Sequence, residues 1–168
     1  RLAGEVEQRS DDLAFLELKL LEKRVKDRLL PTILPVKDAS LGSSFGHRSD
    51  PIAGLRSMHE GMDFSAEPGT PVVVAADGVV LSAAYHPEYG NLIEVDHGEG
   101  LTSRYAHLSR MDVKAGSLIK RGTPLGAVGN TGRSTGPHLH FEVRMLGVAQ
   151  NPAHFLKQGD EYALVKRR

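Results

Sequence analysis

The stretch Gly136-Pro137-His138-Leu139-His140-Phe141-Glu142 contains two histidines, two residues apart, in an apolar run. Residues i and i+2 of a β-strand lie on one face, so His138 and His140 are predicted to point to one spot. Leu139 and Phe141 would then lie on the opposite face and anchor the strand in a core. Two imidazoles directed to one point indicate a metal site, or a metal ligand beside a proton-transfer group.

The composition limits the class of protein. The chain has 168 residues, 21 Lys+Arg, 21 Asp+Glu and 40% hydrophobic residues, which is typical of a globular domain with its own core. The balanced charge indicates no nucleic-acid partner. Because Cys is absent, no disulfide can form, and a metal would have to be held by His and carboxylates. The chain has no apolar run of about 18 residues, so no membrane span is expected in it.

The first 30 residues differ in composition from the rest, since they are rich in Leu, Glu, Lys and Arg and contain no Pro. Their apolar residues recur at helical spacing. This pattern predicts a helix from about Asp11 to Leu29, with Ser10 as its N-cap and Pro31 ending it.

Two interpretations of this helix stay open. It packs on its own domain or on a second copy, or it is a short piece of a coiled coil. Arg9, Lys23 and Asp27 interrupt the heptad pattern that a coiled coil requires. A dimer or another helix-mediated partner is therefore among the expectations.

From Leu41 onward the sequence predicts short strands separated by turns. The β-rich runs at 71–76 and 79–83 flank Asp77-Gly78, which is a hairpin signal. The runs at 91–96 and 101–107 predict a second hairpin through the turn at 97–100. Glycine punctuation predicts two more short strands between residues 116 and 129 and a polar loop at 130–136.

The pattern predicts a mainly β (α+β) fold, a small antiparallel β domain preceded by an N-terminal helix. We expect the helix and an extended linker at residues 1–37, the β domain at 38–157 and a tail at 158–168. A short helix is expected at 152–156.

A second candidate site lies at His59-Glu60-Gly61-Met62-Asp63. With one of the strand histidines, His59 and Asp63 form a His-His-Asp set, and three protein ligands with an open position are typical of catalytic zinc. The competing interpretation is the start of a helical H-E-x-x-H motif. Asp63 occupies the place of its second histidine and Gly61 disfavours a helix, so an extended segment is preferred, with Glu60 facing away from the metal.

The remaining histidines are weaker candidates. His107 ends a predicted strand, where a lone histidine is more often a surface residue. His86 and His97 flank turns and His154 lies near the end of the chain, so all three are expected to be solvated. His47 is next to a cation and is not assigned to the metal.

Several of these motifs, in this order, resemble the lysostaphin/LytM-type zinc endopeptidases, which cut peptide cross-bridges of bacterial peptidoglycan. The resemblance extends from Ser44 to Pro152. Its core motifs are H-x-x-x-D at 59–63, Tyr-Ala-His-Leu at 105–108 and H-x-H at 138–140. Further similar segments are Phe45-Gly46-x-Arg48, Gly69-Thr70-Pro71-Val72, Tyr89-Gly90-Asn91 and Gly129-x-Thr131-Gly132-x-Ser134-Thr135-Gly136-Pro137.

The resemblance implies a role for each histidine that spacing alone leaves open. His59, Asp63 and His140 would bind Zn2+, and His107 and His138 would be the catalytic pair beside the metal. The implied fold is a small antiparallel β domain with a zinc groove between loops.

Three further residues have two interpretations each. Tyr89 and Asn91 either hold substrate backbone or serve a turn. Glu142 shares the strand face of the two histidines, so it either orients one of them or is a solvated charge at the strand end.

The implied function is a zinc metalloendopeptidase acting on peptidoglycan stem peptides. The N-terminal helix resembles helical regions of exported Gram-negative relatives, which favours D-Ala–diaminopimelate bonds and a periplasmic or cell-envelope location, with any signal or anchor segment outside this chain. Some relatives lack the metal residues, so a non-hydrolytic peptidoglycan-binding scaffold or an activator of another cell-wall hydrolase is the alternative. The helix could also cover the groove as a regulator, and a zinc protease of other proteins would share the same site.

Overall fold

The computed structural model describes residues 1–49, 52 and 56–156. In these residues a single long helix precedes a domain of short strands. The elements are α1 Leu2–Leu29, β1 Ser40–Leu41, β2 Gly46–Ser49, β3 Arg56–His59, β4 Met62–Ser65, β5 Pro71–Val73, β6 Gly78–His86, β7 Gly90–Gly98, β8 Leu101–Met111, β9 Leu118–Ile119, β10 Pro124–Val128, β11 His138–Met145, β12 Val148–Gln150 and a 3₁₀ turn at Pro152–His154.

Ten of the described strands form one antiparallel sheet. Its main path runs β1-β4-β11-β8-β7-β6-β9, while β10 pairs with both β5 and β8, and β12 pairs with β11. Strands β2 and β3 form a separate hairpin. The expected mainly β fold with an N-terminal helix is confirmed. Strand β11, which carries the two histidines of the opening motif, lies between β4 and β8 in this sheet.

The core fixes the orientation of β11. Leu139 and Phe141 are fully buried, as strand alternation predicts. The Phe141 ring lies 6.5 Å from that of Phe64 and 5.3 Å from that of Tyr105, between ring centroids. Burying each of these side chains stabilises the fold by roughly 1.5–3 kcal/mol. The opposite face of β11 is therefore held toward the loops.

The two predicted hairpins have different outcomes. Strands β7 and β8 form a hairpin, so that prediction is confirmed. The hairpin predicted around Asp77-Gly78 is wrong, because β5 pairs with β10 and β6 pairs with β7 and β9. Both flanking runs are suitable strands, but each has partners that are distant in sequence, and local turn chemistry does not report such partners.

Helix α1 spans Leu2–Leu29, so it begins well before the predicted start at Asp11. Ser10 therefore lies within the helix and is not its N-cap. Arg1 occupies the cap position and makes no side-chain capping bond. The helix ends before Pro31, as predicted. No described helix has the length and apolarity needed to cross a membrane.

Helix α1 is attached to the β domain at its last turn. Arg28 donates two hydrogen bonds to the Asp77 carboxylate, at 2.8 and 3.1 Å, and its carbonyl accepts one from the Asp77 backbone amide at 2.9 Å. The Arg121 amide also donates to this carboxylate, at 2.6 Å. None of the residues of α1 is buried.

The ends of the domain fit the predicted boundaries only in part. Residues 31–37 contain neither helix nor strand, and within them Val36 is fully buried in the core of the β domain. A 3₁₀ turn at Pro152–His154 takes the place of the expected short helix. The predicted tail at 158–168 lies outside the described residues, and the domain boundaries stay a prediction.

His97 is buried, with an exposed fraction of 2%, so the expectation that it is solvated is wrong. Its Nδ1 donates to the Asp77 carbonyl at 2.7 Å, and its Nε2 lies 2.8 Å from Ser103 Oγ. Ser103 Oγ is 3.0 Å from the Tyr105 hydroxyl, which accepts from the Ala75 amide at 2.9 Å. This network satisfies polar groups inside the core. Exposed His86 and His154 are solvated as expected.

The buried position of His97 predicts a pH dependence of stability. Burial lowers the pKa of His97, although the Asp77 carbonyl and the charge of Asp96 act in the opposite direction. The unfolded chain, with a histidine pKa of about 6.5, therefore takes up this proton first as the pH falls. The free energy of unfolding should decrease below about pH 6.5.

The contribution of His97 to the pH dependence of stability is measured by comparing the urea unfolding of wild type and His97→Gln between pH 5 and 7.5. The variant should be less stable at pH 7.5, and its stability should fall less on acidification. The same substitution at exposed His154 is the matched control. Equal pH slopes for wild type and His97→Gln would contradict the assignment.

Candidate metal centre and active site

Strand register brings the predicted metal ligands together. In the sheet, His140 of β11 pairs with Asp63 of β4 on one side and with Ala106 of β8 on the other. His59 is the last residue of β3, immediately before the two-residue connection to β4. Residues that are 77 and 81 positions apart in sequence thereby share one site.

The three predicted ligand side chains converge on one point. His140 Nδ1 lies 2.9 Å from Asp63 Oδ1, and His59 Nε2 lies 3.2 Å from both of these atoms. Atoms that bind a tetrahedral zinc ion at 2.0–2.1 Å are roughly 3.3 Å apart. All three residues are buried. The set therefore fits a single zinc ion with little rearrangement.

The outward nitrogen of each ligand histidine is held by a hydrogen bond. His59 Nδ1 donates to the Ser44 carbonyl at 2.8 Å, and His140 Nε2 donates to Glu142 Oε1 at 2.8 Å. With a metal bound, these bonds would fix the tautomers in which His59 Nε2 and His140 Nδ1 are unprotonated and directed to the ion. A second partner of this kind orients a ligand and strengthens it as a base.

The charges of the cluster suit a cation. Burial raises the pKa of Asp63, but the hydrogen bonds from His140 and His59 outweigh it and hold that pKa well below its usual range. Burial lowers the pKa of His140, whereas Asp63 and Glu142 raise it to about 9. Asp63 is thus ionised at neutral pH, and metal binding must release the proton from His140 Nδ1.

Glu142 is fully buried, so its interpretation as a solvated charge is wrong. Besides His140, it accepts hydrogen bonds from the Tyr89 hydroxyl at 2.7 Å and from Arg144 Nε at 2.8 Å. Burial raises the pKa of Glu142, but these partners outweigh burial and lower that pKa, so the carboxylate is ionised. Strand alternation identified this residue as an orienting candidate, and Arg144, two residues further along β11, has the same parity, a signal that was not used in the prediction.

The helical H-E-x-x-H interpretation is wrong. Strand β3 ends at His59 and β4 begins at Met62. Glu60 lies outside the His-Asp-His cluster, at the edge of the same groove, and accepts a hydrogen bond from Arg144 Nη2 at 2.6 Å. A Cβ at Gly61 would lie 2.4 Å from the Phe141 carbonyl oxygen, so only glycine allows this turn to pass so close to β11.

His107 has a backbone conformation that strand alternation does not predict. On a regular strand it would share the core face of Tyr105, but its φ is +59° and the alternation breaks there. Such a conformation costs about 1–3 kcal/mol. The imidazole instead lies beside His138, with ring centroids 4.8 Å apart. Its Nδ1 donates to the Thr131 carbonyl at 2.7 Å, which leaves the Nε2 lone pair free.

His107 and His138 are fixed in the same way. His138 Nδ1 donates to the Gly136 carbonyl at 2.7 Å, and its Nε2 lies 3.8 Å from Asp63 Oδ1. Burial lowers the pKa of His107 to about 4, and the neighbouring His138 and His140 act in the same direction. His107 is therefore neutral at physiological pH and can accept a proton at Nε2.

These side chains line an open groove of about 450 Å³. Its lining includes the five predicted site residues, His59, Asp63, His107, His138 and His140, together with Tyr89 and the loop at 133–137. Asn91 is used structurally, since its Nδ2 donates to the Leu108 carbonyl at 2.9 Å. Among the described residues, α1 contributes nothing to this lining, so the covered-groove alternative has no support here.

A sequence model of a known family matches residues 57–152, more than half of the chain, and its description is Peptidase family M23. The chain belongs to this family. The matched range contains all five predicted site residues. Membership also agrees with the resemblance to lysostaphin/LytM-type endopeptidases.

The relatives agree with this membership. The DD-carboxypeptidase/endopeptidase Mpg of Neisseria meningitidis is 42% identical over 120 residues, covering 71% of this chain and 28% of that protein. The peptidoglycan DD-endopeptidase ShyC of Vibrio cholerae is 39% identical over 119 residues, with coverages of 70% and 28%. The chain thus spans less than a third of the length of these curated relatives.

Solved structures share the fold. A zinc-containing peptidase from Vibrio cholerae superposes with a TM-score of 0.67 at 38% identity, covering 71% of this chain and 38% of that chain. The catalytic domain of lysostaphin from Staphylococcus simulans superposes with a TM-score of 0.65 at 35% identity, with coverages of 70% and 92%. With the His-Asp-His cluster, these findings support zinc as the cofactor.

The ligand assignment predicts which alanine variants lose bound zinc and which keep it. His140→Ala should lose bound zinc, because it removes one of three ligand atoms, whereas His107→Ala should keep one zinc ion per chain. Elemental analysis after dialysis measures the zinc content. Loss of zinc from His107→Ala, or its retention by His140→Ala, would overturn the assignment.

The hydrogen bond between Glu142 and His140 predicts that Glu142 affects zinc affinity. Glu142→Gln removes the charge that orients His140 and should weaken zinc binding about 10–100-fold. The zinc dissociation constant is measured by competition with a chromophoric chelator. Glu67→Gln, at an exposed glutamate of the same domain, is the control and should not change it. An unchanged affinity of Glu142→Gln would show that the carboxylate does not act on the ligand.

Proposed function

We propose that the groove hydrolyses peptide cross-links of bacterial peptidoglycan, at the bond between D-Ala and diaminopimelate. The observation that carries this proposal is the convergence of three zinc-ligating atoms and two oriented imidazoles in one open groove. Relatives named as peptidoglycan DD-endopeptidases support the choice of substrate. The choice of bond follows the resemblance of the N-terminal region to exported Gram-negative relatives.

The proposed role of each residue follows from the ligand atoms that converge in the groove. His59, Asp63 and His140 hold the zinc ion. When bound there, zinc acts as a Lewis acid that polarises the scissile carbonyl and makes water acidic enough to ionise near neutral pH. Glu142 keeps His140 oriented through Nε2, and the Ser44 carbonyl does the same for His59 through Nδ1.

His107 is assigned as the general base. Its low pKa keeps Nε2 unprotonated at neutral pH, and the bond from Nδ1 to the Thr131 carbonyl fixes the ring. The imidazole can therefore take a proton from the water that attacks the carbonyl carbon. Three of the four carboxylates in the described lining already have other partners: Asp63 belongs to the proposed ligand set, Glu142 accepts from His140, and Glu60 accepts from Arg144.

His138 is assigned to the later part of the reaction. Its ring lies beside that of His107, and its Nε2 faces the ligand cluster. A proton on Nε2 would stabilise the oxyanion that forms at the carbonyl and could then be delivered to the leaving amine. Both imidazoles are held by backbone carbonyls, so neither must reorganise when charge develops.

The proposed substrate lies outside the cytoplasm, so we assign the chain to the cell envelope, specifically the periplasm. Residues 38–157 are proposed as the catalytic unit, with the N-terminal helix and linker outside it. The alternative of a non-hydrolytic scaffold predicts wall binding without cleavage, which the following experiment separates.

Purified chain with zinc should cleave the peptide cross-links of peptidoglycan sacculi, so that a subsequent muramidase digest contains fewer cross-linked muropeptides, and a chelator should prevent this change. Mass analysis of the digest identifies the bond. His107→Ala should lower the rate by about 100-fold or more while zinc content is kept, because it removes the proton acceptor.

His154→Ala, at an exposed histidine outside the groove, is the matched control and should digest like wild type. Intact cross-links at every zinc concentration, with the protein still bound to sacculi, would exclude hydrolysis and support the scaffold. Cleavage at another peptide bond would exclude the D-Ala–diaminopimelate assignment and leave hydrolysis standing.

A further inference from the structure

Helix α1 exposes an apolar surface that the β domain does not cover. Nine of its large apolar side chains are between 50% and 79% exposed: Leu2, Val6, Leu13, Phe15, Leu16, Leu18, Leu20, Leu21 and Val25. No residue of α1 is buried, and its anchors to the domain lie in the last turn. Helices in proteins gain most of their stability from packing one face, and exposed apolar patches of this kind mark interaction sites.

The charges of α1 are separated along its length. Residues 2–15 contain four carboxylates and one arginine, whereas residues 16–29 contain five cations and three carboxylates. An antiparallel partner with the same sequence would place the acidic half of each helix beside the basic half of the other. The two helix dipoles would also be antiparallel, which places the positive end of each beside the negative end of the other.

The heptad positions define this pairing further. With Leu13 as position a, the a and d positions are Leu2, Val6, Arg9, Leu13, Leu16, Leu20, Lys23 and Asp27. A two-fold axis between Leu13 and Leu16 pairs these two leucines across the helices, and it pairs Leu20 with Arg9 of the second copy. Long cationic side chains can cover apolar neighbours with their methylene stems. The residues that interrupt the heptad thus meet apolar residues and not each other.

The flanking g positions show the same complementarity. In this antiparallel register Asp12 faces Lys19 of the second copy, and Glu5 faces Lys26 of the second copy, each pair occurring twice. Within one helix, Lys19 and Lys26 share the single carboxylate of Glu22, at 3.5 Å each, so both have capacity for a further partner.

A parallel pairing would instead bring interrupting residues and like charges together. It would place Arg9, Lys23 and Asp27 each against its own copy in the core positions. Its g-to-e contacts would join Asp12 to Glu17 of the second copy and Lys19 to Arg24 of the second copy, which are like charges. It would also bring two β domains side by side at the same end, whereas antiparallel helices keep them apart.

We infer that α1 forms an antiparallel two-helix coiled coil with α1 of a second copy of this chain. The interaction surface is the stripe Leu2, Val6, Leu13, Leu16 and Leu20, flanked by Glu5, Asp12, Lys19 and Lys26. The β domains lie at opposite ends of the pair, so both grooves stay open. This inference is independent of the proposed hydrolysis.

Sedimentation velocity of the full chain over a concentration series tests the inference. Wild type should form a dimer. Asp12→Lys should weaken it roughly tenfold, because two lysines then face each other at this contact, which occurs twice in the pair. The double variant Asp12→Lys with Lys19→Asp should restore dimerisation. Asp11→Lys makes the same charge change at the outward f position and is the matched control. Circular dichroism confirms the helix content of each variant.

The orientation has its own measurement, since the chain has no cysteine. A cysteine at position 4, from Gly4→Cys, has open space around its Cβ and accepts a single spin label. Antiparallel pairing separates the two labels by roughly 30 Å along the helix axis, whereas parallel pairing puts them at the same height.

Labels at the same height would overturn the antiparallel register. A chain that is monomeric at several hundred micromolar would overturn self-pairing, as would a monomer that binds anionic phospholipid vesicles through α1. Failure of the double variant to recover the dimer would contradict the Asp12–Lys19 contact.

Discussion

The pairing of β11 with β4 on one side and β8 on the other is the constraint on which the rest of the site depends. It sets His140 opposite Asp63 and Ala106, and it makes the His-Asp-His cluster proposed to bind zinc a consequence of sheet register. Side chains alternate on a strand, so a slip of one residue would move both histidines into the core and bring Leu139 and Phe141 to the groove. The packing of Phe141 against two other rings therefore maintains the register of the proposed metal site as well as the fold.

The histidine rings of the site are oriented by hydrogen bonds on the side away from the groove. Each of the four histidines has one ring nitrogen bonded to a carbonyl or carboxylate, which leaves the other nitrogen toward the groove. Glu142 is the most connected of these supports, since His140, Tyr89 and Arg144 all donate to it in a buried position. Buried polar networks are stable only when every member has a partner. Here the partners come from β11 itself and from the loops at residues 42–45, 87–89 and 129–137.

The two parts of the chain bury their apolar residues differently. The β domain satisfies its core internally, with Tyr105, Phe64 and Phe141 among its largest buried side chains. Helix α1 leaves its apolar stripe in solvent and contacts the domain through an arginine–carboxylate pair near its end. The attachment point, at the start of β6, is distant in the sheet order from the ligand strands β4 and β11. Association through α1 would therefore leave the groove accessible.

The sequence alone determined the mainly β class, the β7–β8 hairpin and the shared face of His138 and His140, because these follow from local periodicity and turn chemistry. It misplaced the start of α1, since a good N-cap residue such as Ser10 can also lie within a helix. It also misjudged His97 and the partner of β5. Only the tertiary structure decided the burial of His97, the partner of β5 and the left-handed backbone at His107, because contacts between residues distant in sequence override local preference.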